Sequence, residues 1–589
     1  MPQIVVAVAA AAAGAGAVSA LGALATTTII GSLTIGTVVS GLVSTGVGLL
    51  GSQLLAKSGN QPSFTQQATG LSTIIRSSIE AHKVIYGRMR TSGPLTFYTT
   101  SDTAQVKNTN QSFSENTKSN QFFHCTLALA AHEVEEIETI YLGETALSLD
   151  ADNYATNTEF VRSDGTMLVR AKKHLGESAQ TADQDLINEV PLWTAEHRGR
   201  GIAYIYVRLQ FDTDKFPDGI PQIRAIVKGK KVYDPRSTLT EYSNNWALCV
   251  RDYLTSSQYG NGASSDEIDD DSVIAAANIS EESITLLDGS TQDRYTCNGI
   301  VDTSIAKINV LKALVSAGIG VVTYTQGKYK VFAGAYDIPT IEIDDDWIRD
   351  GITVSARPPK NELFNGVRGV YIDPDKEWQP TDFAPIINDT YVQQDGGEEI
   401  YQDTEFPFTT NPEASQRMAA ILLQRARQGI IAEIPLNMRG IQLEPWLPVM
   451  ITNTHLGWSQ KVFRITKWEF TQDGGTNISV QEDSAASYDW EAANATVADP
   501  APDTNLPSAT FVEPPGNPQV VEELYSSTQG SGIKTSAIVT WAASPSAFLQ
   551  YYLVEYKLIA DTEYQFAGTP DETTMTIFDL APGFYVFKV

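Results

Sequence analysis

The chain has 589 residues, with 41 Lys and Arg against 70 Asp and Glu, a net charge of −29. Single cores stop growing well below this length, so about three to five domains are expected, and 9 Trp, 24 Tyr and 21 Phe supply apolar surface to fill them. A surface this acidic gains no counterion-release affinity from DNA, which argues against a DNA-binding module and suits either plain solubility or a conduit along which DNA slides without sticking.

Residues Met1 to Ala56 carry no charged side chain. Two apolar runs, Ile4 to Leu24 and Ile29 to Leu55, flank Thr26-Thr27-Thr28, each long enough as a helix to span the ~30 Å core of a bilayer. No basic residue precedes them, so a signal peptide fits poorly. Two readings stay open for residues 1–58: a helical plug or tether in a protein-lined lumen, or a membrane-active segment over residues 1–56. Tyr86 to Tyr98 is expected to be a hairpin turning at Ser92-Gly93-Pro94. Cys125 to Leu147 reads as strand, turn, strand, and within it the string from His132 to Glu136 lacks the second His of a zinc-protease helix. Asp150 to Val190 is polar and reads as an outward-facing insertion. Ile202 to Phe211 alternates with one clearly apolar face. A second strand at Ile223 to Val227 is expected to reverse at Gly229, return over Lys231 to Tyr233, and stop at Asp234-Pro235. Asn244 or Asn245 then caps a helix whose buried stripe is Trp246, Cys249, Val250, Tyr253 and Leu254.

Asp269 to Asp271 sit where acidic groups favour a helix start, and the cluster from Asp266 lacks the glycine and closing glutamate of a calcium loop. Asp302 is expected to cap a helix with Ile305, Ile308, Leu311, Leu314 and Val315 inward and Gly318 closing it. A hairpin turns at Gln326-Gly327, and Phe364 to Tyr371 places a strand. The helix from Pro412 to Gln428 has Asn411 as cap and Gly429 as its left-handed stop, with Arg417, Arg425 and Arg427 either solvated or paired with a neighbouring subunit. The strands Ile430 to Met438, Pro445 to Thr452, Val462 to Phe470 and Asn477 to Glu482 make a small antiparallel barrel or sheet. Ala492 to Pro515 is a linker. No nucleophile and base pair up, no metal spacing is present, and no cofactor is implied. The three cysteines, Cys125, Cys249 and Cys297, form no disulfide framework and suit a reducing cytoplasm.

Three ordered blocks carry a resemblance. They are Gly229 with Val232-Tyr233-Asp234-Pro235-Arg236, then Asn244-Asn245 with Cys249, then Tyr259-Gly260, and Cys297-Asn298 adds a further match. The pattern resembles the tail tip attachment proteins of long-tailed bacteriophages, the protein J family of lambda type, from near residue 60 onward. Pro518 to Val589 resembles a fibronectin type III domain, with Trp541 and Tyr556 in its core and Tyr585 in the corner motif; the last strand of the sandwich is missing, which suggests a longer chain or a segment that completes the sheet. The resemblance implies a multidomain, mainly β protein with α+β hub modules, barrel-like sheets and packed helices, an uncharged N-terminal helical segment and a C-terminal β-sandwich. The expected divisions are 1–58, 59–149, 150–192, 193–262, 263–400, 401–491, 492–516 and 517–589. It implies a non-enzymatic homotrimer in the virion tail tip, made in the host cytoplasm, which closes the tail tube and links it to the central fibre. The implied partners are the distal tail protein and other tail tip proteins, the tape measure protein, central or side tail fibres and, through distal parts, a host receptor, with DNA passing through unbound. An envelope-penetrating role for residues 1–56 is the alternative; a peptidoglycan hydrolase would need a Glu or Cys/His constellation that the sequence does not show.

Overall fold

The computed structural model describes residues 80–116, 121–217, 219–357, 363–496, 513–526, 532–546 and 549–589, together with the short strands Thr28–Ile30 and Leu33–Thr34. The chain divides into two compact units, Met1–Ala498 and Asp499–Val589. Strand outweighs helix, 40% against 17%, as a mainly β chain requires.

In the first unit, two antiparallel sheets share one apolar core. One runs in the order Val169–His174, Ala203–Gln210, Phe122–Ala130, Leu95–Ser101. The other runs Thr145–Ala146, Glu136–Leu142, Ile223–Lys228, Arg88–Thr91. Leu127, Val169, Ile205 and Val207 of the first meet Ile137, Ile140, Ala225 and Val227 of the second. Every residue of Ala203–Gln210 is buried, so its polar face is covered as well as its apolar one. The cover comes from the segment read as an outward insertion: its strand Val169–His174 pairs with Ala203–Gln210, and Leu186 of its helix Gln184–Glu189 packs on Tyr206.

Two expected hairpins are also corrected. Arg88–Thr91 and Leu95–Ser101 do not pair with each other but enter different sheets, and at Gly93 between them the backbone runs so close to a neighbouring strand that an added Cβ would stand 1.7 Å from the Ala128 carbonyl oxygen. Likewise Ile223–Lys228 does not turn back at Gly229. Lys231–Asp234 pairs instead with Leu239–Tyr242 across the turn that Pro235 begins, so Asp234-Pro235 opens a hairpin rather than ending a ladder.

A second core is built by helices. Trp246–Thr255 starts at the Asn245 cap, whose side chain accepts from Ala247 N, and buries Trp246, Cys249, Val250, Tyr253 and Leu254. Each of its larger apolar side chains removed from water contributes about 1.5–3 kcal/mol. Asp270–Ser280 is capped by Asp269. Lys307–Ser316 begins at Ala306, not at Asp302, whose carboxylate is taken by the Ser304 N–H at 2.7 Å; Ile308, expected inward, is exposed. Pro412–Arg427 starts at the Asn411 cap as expected. It leaves through an extended Gln428, and Gly429 is not left-handed. The hairpin Val321–Thr325 with Lys328–Phe332 turns on positive φ at both Gln326 and Gly327, the geometry that matches strand twist.

The last sheet of this unit is open, not a barrel. Its order is Ile341–Ile343, Pro448–Asn453, Trp458–Phe470, Thr476–Glu482, Ile431–Leu436, Thr353–Ser355, with the first pair parallel. Of the N-terminal stretch, Thr28–Ile30 and Leu33–Thr34 are strands, the first paired with Val321–Thr325, which corrects the helix expected there. The rest of residues 1–58 lies outside the described residues. Among the described residues no helix is long and apolar enough to cross a membrane.

The second unit is a pair of three-stranded sheets. One is Gln519–Ser526, Ile533–Thr540, Thr574–Ile577; the other is Gln565–Gly568, Val554–Leu558, Tyr585–Lys588. Val539, Trp541, Tyr552, Val554 and Ile577 close its small core.

Candidate functional site

Two of the three motif blocks meet at Glu281. Asp234 accepts the Arg236 backbone N–H at 2.8 Å and the guanidinium at 2.7 and 3.0 Å. Arg236 then reaches the end of the Asp270–Ser280 helix, donating two bonds of 2.6 Å to Glu281 and one of 3.0 Å to Asn278. Asn245 donates to the Ala277 carbonyl at 3.0 Å and to Glu281 at 2.9 Å. Glu281 thus ties turn, cap and helix end together, and its bonds from Arg236 hold its carboxyl below the ordinary value. Burial alone would raise the Asp234 carboxyl, but Arg236 outweighs it and the pKa falls.

The remaining motif residues fasten this joint to distant chain. Gly229 donates to the Gly87 carbonyl at 2.7 Å, and a Cβ added to it would stand 2.1 Å from the Ile85 carbonyl oxygen, so only glycine lets the backbones approach. Asn298 accepts the Arg88 N–H at 2.9 Å and donates to Thr410 at 3.1 Å. The Cys297 N–H donates to the Asn244 carbonyl at 2.7 Å. Cys249 and Val232 are buried in the helical core, and burial pushes the Cys249 thiol well up, which makes it a packing group rather than a nucleophile. Tyr233 lies under the Arg251 guanidinium at 4.7 Å. Tyr259 and Tyr86 both donate to one oxygen of Asp252, at 2.5 and 2.6 Å, while Gly260 packs against the Tyr253 carbonyl. Trp541, Tyr556 and Tyr585 belong to the second unit, where the Tyr585 hydroxyl donates to the Ala581 carbonyl at 2.9 Å.

Sequence reading missed a buried charged layer on the outer face of Ala203–Gln210. Arg208 and Arg170 converge on Glu189, at 2.9 and 3.0 Å, and His124 Nδ1 lies 2.8 Å from the Tyr206 hydroxyl. Burial first, then the two guanidiniums, lowers the His124 pKa to about 3, so the ring is neutral. The available signal was the Tyr204, Tyr206, Arg208, Gln210 face itself, too polar for a core and too aromatic for open solvent. Lys107 lies between Asp150 and Asp152 at 2.6 and 2.5 Å, an ammonium where an acidic loop would otherwise attract a cation. Arg427 pairs with Asp395 and Arg417 is fully buried against Arg294, so neither forms the solvated face expected of them. Among the described residues, no three His, Cys, Asp or Glu are grouped to hold a metal.

These side chains join modules of one chain to each other, and the sequence comparison finds homology to a phage baseplate hub protein. That relative is baseplate hub protein pb3 of Escherichia phage T5, 25% identical over 365 residues, which are 55% of this chain and 37% of the relative. The chain therefore spans little more than a third of that protein's length. No family model matches. Among solved structures, a chain of the virion of a native gene transfer agent particle aligns with a TM-score of 0.48 at 16% identity, covering 77% of this chain and 95% of that one. The 43 kDa tail protein of prophage MuSo2 from Shewanella oneidensis aligns with a TM-score of 0.25 at 9% identity, covering 69% and 99%. These proteins are named as tail, hub or virion components.

Proposed function

We propose that this chain is the structural hub of a long-tailed phage tail tip, of the tail tip attachment type, closing the tube as a homotrimer and linking it to the central fibre for host attachment and DNA delivery. The observation that carries the reading is the 25% identity to a baseplate hub protein over 365 residues. The internal engagement of the motif residues supports it, since Arg236, Asn245 and Asn298 all bind distant parts of the same chain. Its neighbours in this role are the distal tail protein, the tape measure protein and the central or side fibres, with DNA passing an acidic wall. The six-strand second unit, with its Tyr585 corner, is read as a fibronectin type III module. Light scattering on the full-length protein tests the trimer: a mass of three chains is expected, and a strict monomer at high concentration would count against the hub. Immunogold labelling should decorate tail tips.

The charge-free stretch Met1 to Ala56 favours a second, compatible reading, penetration of the host envelope. A peptide of residues 1–56 should release dye from liposomes, and an inert peptide would remove this reading while leaving the hub untouched.

A further inference from the structure

Two of the three cysteines stand together. Asn245 forms an antiparallel bridge with Thr296, and the next residue, Cys297, donates its N–H to the Asn244 carbonyl at 2.7 Å. Cys249 stands one turn up the helix from the Asn245 cap, with its N–H on the Asn245 carbonyl at 3.1 Å and its Sγ 3.8 Å from the Ser243 carbonyl oxygen. Both residues are thereby held against the same stretch, 243–245, and the Cys297 side chain is hydrogen-bonded to the Cys249 thiol. Both are free thiols with no exposed surface. Cys125 belongs to the other core, between the two sheets.

A pair of thiols has a chemistry that one thiol lacks. Sulfurs within hydrogen-bond reach of each other already meet the first requirement of a disulfide, whose Cβ atoms lie only ~3.5–4.5 Å apart. A cytoplasm keeps such thiols reduced, whereas the medium outside the cell does not. That a chain made in the first comes to work in the second rests on the virion reading proposed above; the pairing of the sulfurs does not.

We infer that Cys249 and Cys297 are a modification site, a dithiol that closes to one disulfide in an oxidising medium and locks the motif joint. The oxidant is a small-molecule disulfide of the glutathione class. The thiolate of one cysteine attacks a glutathione sulfur, giving a mixed disulfide and releasing one glutathione; the thiolate of the other cysteine then displaces the second glutathione. One S–S bond forms in the protein as one breaks in the oxidant, and two electrons and two protons end on two glutathione thiols. Buried thiols hold little thiolate, so exchange proceeds as the chain folds or as the core opens locally. The parts joined are specific. Cys249 lies on the helix that Asn245 caps, and Cys297 precedes Asn298, whose side chain reaches Arg88 and Thr410.

The test uses the full-length protein, purified under reductant and exposed to oxidised glutathione, once folded and once during refolding from urea. Thiols titrated in denaturant should fall from three per chain to one, with no glutathione retained in the intact mass, and a non-reducing peptide map should join Cys249 to Cys297. The thermal midpoint should rise by about 5 °C on closure, because a bridge across a loop of about 50 residues restricts the unfolded chain. Cys125→Ala should still close the bridge, and Cys249→Ala should keep both remaining thiols; if Cys249→Ala does not fold, the wild-type peptide map carries the same test. Three thiols surviving both treatments, a bridge to Cys125, or a bridged chain that melts no higher than the reduced one would overturn the assignment. None of these readouts depends on a tail, so failure of the hub reading shows separately, in the light-scattering mass.

Discussion

Replacing Gly229 with alanine separates a steric role from a merely local one. The new Cβ would lie 2.1 Å from the Ile85 carbonyl oxygen and 2.6 Å from its carbon, both backbone atoms, so no side chain can swing aside. Ordinary contact would require the two segments to part by more than an ångström. That movement works directly against the bonds from Gly229 N to Gly87 O at 2.7 Å and from Lys230 N to Ile85 O at 2.8 Å. Overpacking costs ~1–3 kcal/mol and each of the two weakened hydrogen bonds about 1 kcal/mol more, so Gly229→Ala should lose about 3–5 kcal/mol. Urea unfolding followed by tryptophan fluorescence reads the loss, and hydrogen exchange should show faster exchange at residues 85–88 and 229–230. Gly351→Ala, where an added Cβ meets nothing within 4 Å, is the control and should change stability by less than about 0.5 kcal/mol. Pro235→Ala, although it belongs to the same motif, should cost only about 0.4–1 kcal/mol through the freedom of the unfolded chain. If Gly229→Ala unfolds at the same midpoint as Gly351→Ala, the close-approach argument is wrong.

Glu189→Gln should destabilise the first unit by about 3–5 kcal/mol, because Arg208 would stay buried without a counter-charge and Arg170 would keep only Asp185 at 3.5 Å; a thermal melt unchanged from wild type would refute this. Asn298→Ala should cost about 1–3 kcal/mol by stranding the Arg88 N–H, measured by urea midpoint, and Asn298→Asp should recover part of it through the same acceptor. The two buried histidines make stability pH-dependent. His124 is lowered to about 3 and His132 to about 4, in both cases first by burial, and His132 Nε2 must stay unprotonated to accept the Ile85 N–H at 3.0 Å. The unfolded chain therefore takes the proton first, and the contribution of the neutral rings is complete above about pH 6.5 and lost as pH falls toward 4 and then 3. At ~1.36 kcal/mol per pKa unit, His132 accounts for about 3 kcal/mol and His124 for about 5, so the urea midpoint should drop between about pH 7 and 5, and a flat midpoint would contradict the burial of these rings.

Caps and turns were readable because their causes are local. Asn245, Asp269 and Asn411 each satisfy an N–H within three residues, and Gln326-Gly327 needs only its own two φ angles. Pairing was not readable in the same way. Alternation marks which residues share a face but not which strand lies alongside, so the segments around Gly93 and Gly229 looked like turns when they are crossings packed against carbonyls of distant strands. Gly429 failed for the same reason: glycine permits a left-handed stop without requiring one, and the exit from Pro412–Arg427 is extended. At the joint, the motif residues were identifiable, but their shared acceptor Glu281 was not, since a lone glutamate after a helix carries no mark of the arginine that will reach it.

The bond between Asn298 and the Arg88 N–H spans 210 positions of chain, and it sits beside the pairing of Lys83–Tyr86 with Gly299–Asp302. During synthesis at ~5–20 residues per second, the first strands of the unit therefore wait on the order of ten seconds or more for partners that have not yet been made. Closure of such long loops is slow, and the waiting strand edges are open to other chains. The order of emergence from the ribosome thus becomes part of the folding problem, and the interval before residue 302 appears is when a wrong partner has its best opportunity.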